Sequence, residues 1–384
     1  MFAEKRQLRI PGPTPVPPQI ARAGAKPMMG HRSGDFMELC KRVAAKLKTV
    51  FQTEEDVFIL TSSGTGALEA AVANTVSPGD QVLVLVSGVF GERFGKIAAK
   101  YGAEVETIRC QYGQAIDPEE VRSFLKANPQ IKVVFATHCE TSTGVLNDLQ
   151  KISEAVHSAP GNPLLVVDTV SSMGGADFQT DNWGIDIAAS GSQKAFMLPP
   201  GLAFITVSPR SWESIEANTS PCFYFDLLAY RKSLPKGQTP YTPAVSLFYQ
   251  LEEALDMMLE EGLENIYKRH LLLRDMVRAG IRALNLPLFV ADEHASPTVT
   301  SILGPEGLDV EALRKLLNQK YNVVLAGGQG DLKGKIFRIG HMGYAEPIDF
   351  LEVLASLELA LAELGWQVEK GAAVAAAEEV LLRG

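Results

Sequence analysis

The chain has 384 residues, 46% of them hydrophobic, and acidic side chains outnumber basic ones 45 to 36, for a net charge of −9. That length exceeds a typical single domain, so two are expected, and the acidic balance, with no long block of one sign, argues against nucleic acid as a partner. Cys40, Cys110, Cys139 and Cys222 include no CxxC pair, a pattern that fits a reducing cytosol and argues against a zinc or iron–sulfur site.

Along the chain, the opening MFAEKRQLRIPGPTP lacks the apolar run of a signal peptide. No stretch of about 18 apolar residues follows, so no membrane span and a cytoplasmic location are expected. Residues 11 to 20, PGPTPVPPQI, hold five prolines. Proline fixes φ and lacks an N–H, which predicts an extended N-terminal arm over 1–15, either a simple linker or a strap across a domain face.

DFMELCKRVAAKLKTVF, from Asp35, has helical spacing. Strand and helix then alternate: Val57 to Leu60, the turn TSSGTG, helix ALEAAVANTV, strand QVLVLVS, helix GERFGKIAAKYGA, strand EVETIRC. Asp117 and Pro118 are read as N-cap and first residue of the next helix. KVVFATHCE, PLLVVDTVSS, IDIAASGSQKAF and LAFITVS supply further strands, with DLQKISEAVHS a helix among them. Near-continuous apolar strands separated by helices predict an α/β fold with a mainly parallel sheet covered on both faces. Residues 220 to 245 read as irregular, and a long helix follows, bent near Gly262. The last hundred residues alternate as a smaller α+β unit ending in an alanine-rich tail. These readings divide the chain into an arm (1–15), a large domain (16–255) and a small C-terminal domain (256–384).

Four features carry chemistry. TSSGTGALEAA runs strand, hydroxyl-rich turn, helix, and a helix N-terminus suits a phosphate, although an ordinary capped turn would look the same. It matches neither GxGxxG nor GxxxxGK[ST]. Asp168 ends a run of apolar residues at the carboxyl end of a strand, where ligands bind in open α/β sheets, or else it caps a helix. Lys194, in GIDIAASGSQKAFMLPP, is set among small and apolar residues. Such surroundings favour the free amine needed for Schiff-base chemistry, unless the stem packs and the head reaches water. Arg338, in KIFRIGHMG, offers a planar fork to a carboxylate, or is a surface strand arginine. Cradle, acid, lysine and clamp together are the requirements of pyridoxal phosphate.

The segments PGPTPVP, GHRSGDF, TSSGTGALEAA, SGVFGERF, HCETSTGVLNDL, VVDTVSSMGG, SGSQKAFMLPPG and FRIGHMG, spread over nearly the full chain, resemble the class V aminotransferases of fold type I. The nearest group is the alanine–glyoxylate and serine–glyoxylate (serine–pyruvate) aminotransferases. The resemblance implies a large domain with a mainly parallel seven-stranded sheet between helices, and pyridoxal 5′-phosphate as cofactor. It also implies a homodimer with shared active sites. The implied reaction is ping-pong transamination between a small amino acid, alanine or serine, and a 2-oxo acid, glyoxylate or pyruvate.

Residue by residue, it implies that Lys194 holds the cofactor as a Schiff base and acts as the general base. Asp168 pairs with the pyridine nitrogen. Ser63, Gly64, Thr65 and Gln193 bind the phosphate, and Thr141 contacts the 3′ oxygen. Phe90 stacks on the ring where several relatives carry tryptophan. Ser172 joins the cofactor-binding set. Arg338 holds the α-carboxylate, with Gly12 and Thr141 beside it. Thr242 of QTPYTPAVS reaches the partner's phosphate; some relatives have a tyrosine at the place of Thr239, which Tyr241 can replace.

His31 and Arg32 in GHRSGDF are read either as residues at the mouth of the site, with Arg32 meeting a second carboxylate, or as a structural pairing at a subunit contact. His138 and His341 are read as packing or supporting residues. Three other functions stand as alternatives. A cysteine desulfurase needs a reactive cysteine well downstream of Lys194, and none follows Cys222. Aspartate or 2-aminoethylphosphonate transamination requires only a change of substrate. A non-catalytic hydrogenase-associated subunit needs paired cysteines that four dispersed ones do not supply.

Overall fold

The protein is described here by a computed structural model covering residues 6–384; the first five residues of the expected arm lie outside the described residues. Seven strands form the main sheet. In spatial order they are Val57–Leu60, Ala203–Val207, Ile187–Gly191, Leu164–Asp168, Val133–Thr137, Gln81–Val86 and Glu104–Arg109. Ala203–Val207 runs antiparallel to both neighbours, and the remaining pairings are parallel.

Side chains alternate between two apolar layers, as the period of two in a strand dictates. Leu83, Leu85, Val134, Leu165 and Val167 face one core, with helices Gly34–Phe51, Leu149–His157 and Val245–Glu261. Val82, Val84, Val133, Phe135 and Val166 face the other, with helices Gly64–Thr75 and Val89–Lys100. Covering both faces explains why the central strands read as unbroken apolar runs and not as alternating ones.

A second, four-stranded sheet runs Gln7–Arg9, Val323–Gly327, Ile336–Gly340, Val299–Leu303. It shares a third core with helices Leu263–Ala283, Val310–Lys320, Pro347–Glu363 and Ala372–Arg383. Helix Leu263–Ala283 joins the two regions: Ile266 packs in the first core and Leu273 in the third.

Five elements differ from expectation. The N-terminal segment begins as a strand, because Gln7–Arg9 pairs in parallel with the C-terminal Val323–Gly327, a partner far away in sequence. Helix Pro18–Ala23 starts inside the proline run, since a proline in the first turn gives up no helical hydrogen bond. Within the region read as irregular, Asp226 caps helix Leu227–Ser233 by accepting from the Leu228 N–H. The long helix is broken into two at Gly262, whose φ of 81° no helix tolerates. The alanine-rich tail is also helical, burying Ala373 and Ala377.

Candidate active site

Where the parallel strands end, their loops part and leave a cleft of about 270 Å³. Gly12, Ser63, Gly64, Thr65, Phe90, Thr141, Asp168, Gln193 and Lys194 all line it. These nine come from six segments of the chain, Gly12, Ser63 with Gly64 and Thr65, Phe90, Thr141, Asp168, and Gln193 with Lys194, brought together around the carboxyl ends of the parallel strands.

Lys194 lies three residues beyond strand Ile187–Gly191 and is 9% exposed. Its Nζ donates to the Pro11 carbonyl, and its own carbonyl accepts from the Thr14 hydroxyl at 2.8 Å. The arm therefore closes over the lysine. Gly12 has φ +125°, and a Cβ there would stand 2.6 Å from Lys194 Cδ, so glycine alone allows this approach. Burial lowers the Lys194 amine to about 8, more than the nearby Cys139 and Asp168 raise it. Roughly a tenth is then free amine at pH 7, against a few parts in ten thousand for an ordinary lysine.

Asp168, at the end of strand Leu164–Asp168, is pushed up to about 7 by burial. Its Oδ1 accepts the Val170 N–H at 2.8 Å, and Oδ2 makes no hydrogen bond among the described residues. A cation placed beside it would draw it back to the carboxylate.

The turn after Val57–Leu60 becomes helix Gly64–Thr75, with Ser63 at its N-cap. Ser63 makes no side-chain cap bond, and the first turn contains no acid, so the helix presents N–H groups and a positive dipole end to the cleft. A Cβ on Gly64 would meet Val170 Cγ2 at 2.6 Å. Gln193 contributes a buried Oε1 with no partner.

Arg93, which sequence reasoning passed over, stands on the same wall. Its Nη1 donates to Thr65 Oγ1 at 3.2 Å, and its guanidinium lies 4.7 Å from the centroid of the Phe90 ring. The i, i+3 spacing of Phe90 and Arg93 on one helix face was the available signal. Beneath them, buried Glu140 accepts from Phe90 N (3.0 Å), Gly91 N (3.1 Å), Ser142 N (3.1 Å) and Ser142 Oγ (2.5 Å). It pins the start of helix Val89–Lys100.

Three expected residues do not line the cleft. Ser172 is fully buried, with its hydroxyl directed at the Thr169 carbonyl at 3.4 Å. Its neighbour Ser171 takes the wall position and bonds Thr141 Oγ1 at 2.5 Å, because the turn points successive side chains apart. Thr242 is exposed, 3.5 Å from His31 Nε2. Arg338 sits behind the wall, 4% exposed. Its Nε and Nη2 donate to the Gly327 carbonyl at 2.9 and 2.7 Å, and Nη1 to the Thr141 carbonyl at 2.7 Å. One N–H on each terminal nitrogen remains, the geometry for a carboxylate. Burial lowers its guanidinium to about 10, and no carboxylate pairs with it among the described residues.

Arg32 is held by the 238–240 loop and does not line the cleft. It donates to Gln238 Oε1 (3.0 Å), the Thr239 carbonyl (2.8 Å) and the Pro240 carbonyl (3.1 Å), so it shapes that loop. Buried His341 bonds the Pro297 carbonyl and the Thr300 hydroxyl, a packing role. Buried His138 packs against Phe178 and Trp183.

These groups fit pyridoxal phosphate. Gly64 and the open helix end suit its phosphate, Asp168 Oδ2 its ring nitrogen, Phe90 its ring face and Lys194 its aldehyde. Gln193, whose Oε1 has no partner among the described residues, suits the phosphate once its amide is turned so that Nε2 donates, since a phosphate dianion only accepts.

Comparison with known proteins agrees with this geometry. The family model described as aminotransferase class-V matches residues 19–333. Over 98% of its length the chain is 46% identical to a protein of Synechococcus sp. named soluble hydrogenase, small subunit, covering 99% of that protein. Over 98% of its length it is 38% identical to the serine–glyoxylate aminotransferase of Methylorubrum extorquens, covering 96% of it. The crystal structure of ureidoglycine–glyoxylate aminotransferase from Bacillus subtilis superposes with a TM-score of 0.94 at 34% identity over 98% of both chains.

Proposed function

The chain belongs to the class-V aminotransferases, pyridoxal 5′-phosphate-dependent transaminases of fold type I, and we propose that it moves the amino group of alanine or serine to glyoxylate or pyruvate. The observation that carries this reading is the buried Arg338 guanidinium, which has two N–H groups to spare and no acidic partner among the described residues. It suits the carboxylate that amino acid and 2-oxo acid share. Both named aminotransferase relatives act with glyoxylate according to their names. Arg32 is committed to loop carbonyls, which leaves it poorly placed to greet a distal carboxylate and favours a short, neutral side chain over aspartate.

When bound, pyridoxal phosphate supplies an aldehyde that condenses with amines and a ring that draws electron density from the substrate's α-carbon. Lys194, as free amine, would be the nucleophile and then the base that takes the substrate's α-proton and delivers it to the former aldehyde carbon, the proton shift that transamination requires. Asp168, as carboxylate, stabilises a proton on the ring nitrogen. Arg338 orients the α-carboxylate, with Gly12 and Thr141 beside it. Phe90 walls one face, and Ser63, Gly64, Thr65 and Gln193 hold the phosphate. The arm closing over Lys194 limits water. The first oxo acid leaves before the second enters, which is ping-pong order. The enzyme acts as a homodimer in which Thr242 reaches the partner's site, and its four free thiols are in keeping with a reducing cytosol.

A donor–acceptor panel tests the substrate assignment. Alanine or serine with glyoxylate or pyruvate is expected to exceed aspartate with 2-oxoglutarate, and 2-aminoethylphosphonate with pyruvate, by at least about tenfold in kcat/KM. The reverse order would replace this reading. The hydrogenase name of the Synechococcus relative suggests a non-catalytic subunit, a role that gives Lys194 and Asp168 no work. A purified protein with no near-ultraviolet cofactor absorbance after loading would favour it.

A further inference from the structure

Arg93 is a cation on the cleft wall with no acid bonded to it among the described residues. Of its acidic neighbours, Glu92, next in the chain, bonds Arg109 and Tyr112, Glu140 is filled by backbone N–H groups and Ser142, and Asp168, which lines the same cleft, makes no bond to Arg93 and takes the Val170 N–H. Two contacts fix its guanidinium, the Thr65 hydroxyl at 3.2 Å and the Phe90 ring face at 4.7 Å. Both belong to residues that line the cleft. Helix Gly64–Thr75 supplies only partial positive charge at its start, because it has neither a lysine nor an arginine in its first turn. A phosphate dianion placed there lacks a full countercharge unless another element provides one.

We propose that Arg93 provides it, binding the cofactor's phosphate through the N–H groups left after its bond to Thr65, while its plane on Phe90 fixes the direction of approach. This inference rests on the cofactor reading above and deepens it by naming the side chain that neutralises the phosphate. It also bears on substrate choice: an arginine committed to phosphate is not free for the second carboxylate of a dicarboxylic amino acid.

The test compares pyridoxal phosphate with pyridoxal, which differs by the phosphate alone. Apoprotein of wild type, Arg93→Gln and Arg93→Lys is titrated with each, following absorbance and tryptophan fluorescence. Arg93→Gln is expected to weaken pyridoxal phosphate by about tenfold to a hundredfold, the range for losing a charged hydrogen bond. Pyridoxal binding should shift by less than about threefold, and Arg93→Lys, which keeps the charge, should recover much of the loss. Inorganic phosphate should compete with pyridoxal phosphate more weakly in Arg93→Gln than in wild type.

Parallel loss of both ligands in Arg93→Gln and Arg93→Lys would overturn the proposal in favour of a packing role through Phe90. Unchanged pyridoxal phosphate affinity together with a raised KM for aspartate or 2-oxoglutarate would overturn it in favour of a substrate clamp. Failure of wild type to bind pyridoxal phosphate would instead remove the cofactor reading itself.

Discussion

At the scale of single residues, the proposed chemistry rests on an amine that burial keeps partly unprotonated. The Lys194 amine, lowered to about 8 by desolvation, loses its proton as pH rises through that value, and only the free amine attacks an aldehyde. The rate at which apoprotein captures pyridoxal phosphate should therefore climb with pH and level off above about 8. A rise continuing towards 10.5 would mean that the amine is solvated. Lys194→Ala should abolish borohydride-trapped cofactor while leaving the fold intact, because the side chain's one hydrogen bond is to the Pro11 carbonyl. Lys194 and Asp168 were legible in the sequence because each combines a polar end with an apolar approach. Arg93 was not, because its i, i+3 spacing with Phe90 is a pairing any helix offers, and its contact with Thr65, 28 residues away, is encoded by no local pattern. The neighbours Ser171 and Ser172 were indistinguishable for the same reason, since only the folded turn decides which hydroxyl faces the cleft.

At the scale of elements, the strands and helices of the main sheet were legible where apolar runs and caps were strong, as with Asp117 bonding the Glu119 N–H. Strand Gln7–Arg9, defined by a distant partner, was not, and helix Leu227–Ser233 was missed although Asp226 caps it locally, because it lies in a stretch read as irregular. Helix Val89–Lys100 shows how a hidden residue can position visible ones. Gly88 at its start approaches Glu140 so closely that a Cβ would lie 2.5 Å from the carboxyl carbon. The Glu140 carboxylate then takes the N–H groups of Phe90 and Gly91, which the helix leaves unpaired. Burial raises the carboxyl of Glu140 despite those donors. Glu140→Ala strips both N–H groups of their acceptor and should cost about 2–4 kcal/mol in urea unfolding. Cofactor affinity should fall as well, because Phe90 and Arg93 ride on that turn, and Glu140→Gln should lose less of both. Unchanged stability in Glu140→Ala would mean that the helix start is held by other contacts.

At the scale of the whole molecule, the site depends on regions far apart in the chain. The first strand belongs to the C-terminal sheet, yet the residues just after it cover Lys194 in the main domain. Gly343, from the segment after strand Ile336–Gly340, also approaches Lys194, since a Cβ there would lie 3.2 Å from its carbonyl. A further dependence runs outward. Phe223 is 78% exposed and Tyr224 41%. Tyr224 and Tyr241 stack at 5.2 Å and 12°, and Phe223 lies 5.4 Å from Tyr241. Exposed aromatic clusters of this kind mark interaction surfaces. Phe225, next in the chain, reaches Gly66 in the first turn of the cradle helix, where a Cβ would stand 3.1 Å from its Cζ. In the proposed homodimer, a subunit seated on this cluster would stand at the edge of the proposed phosphate cradle, where the exposed Thr242 of each copy would serve the other. Light scattering should return twice the 41.5 kDa chain mass. Phe223→Asp, which buries a charge in the contact, should shift the protein towards monomer and weaken pyridoxal phosphate binding in step. Monomeric wild type with full cofactor affinity at micromolar concentration would show that one chain completes the site, and would leave the aromatic cluster without this role.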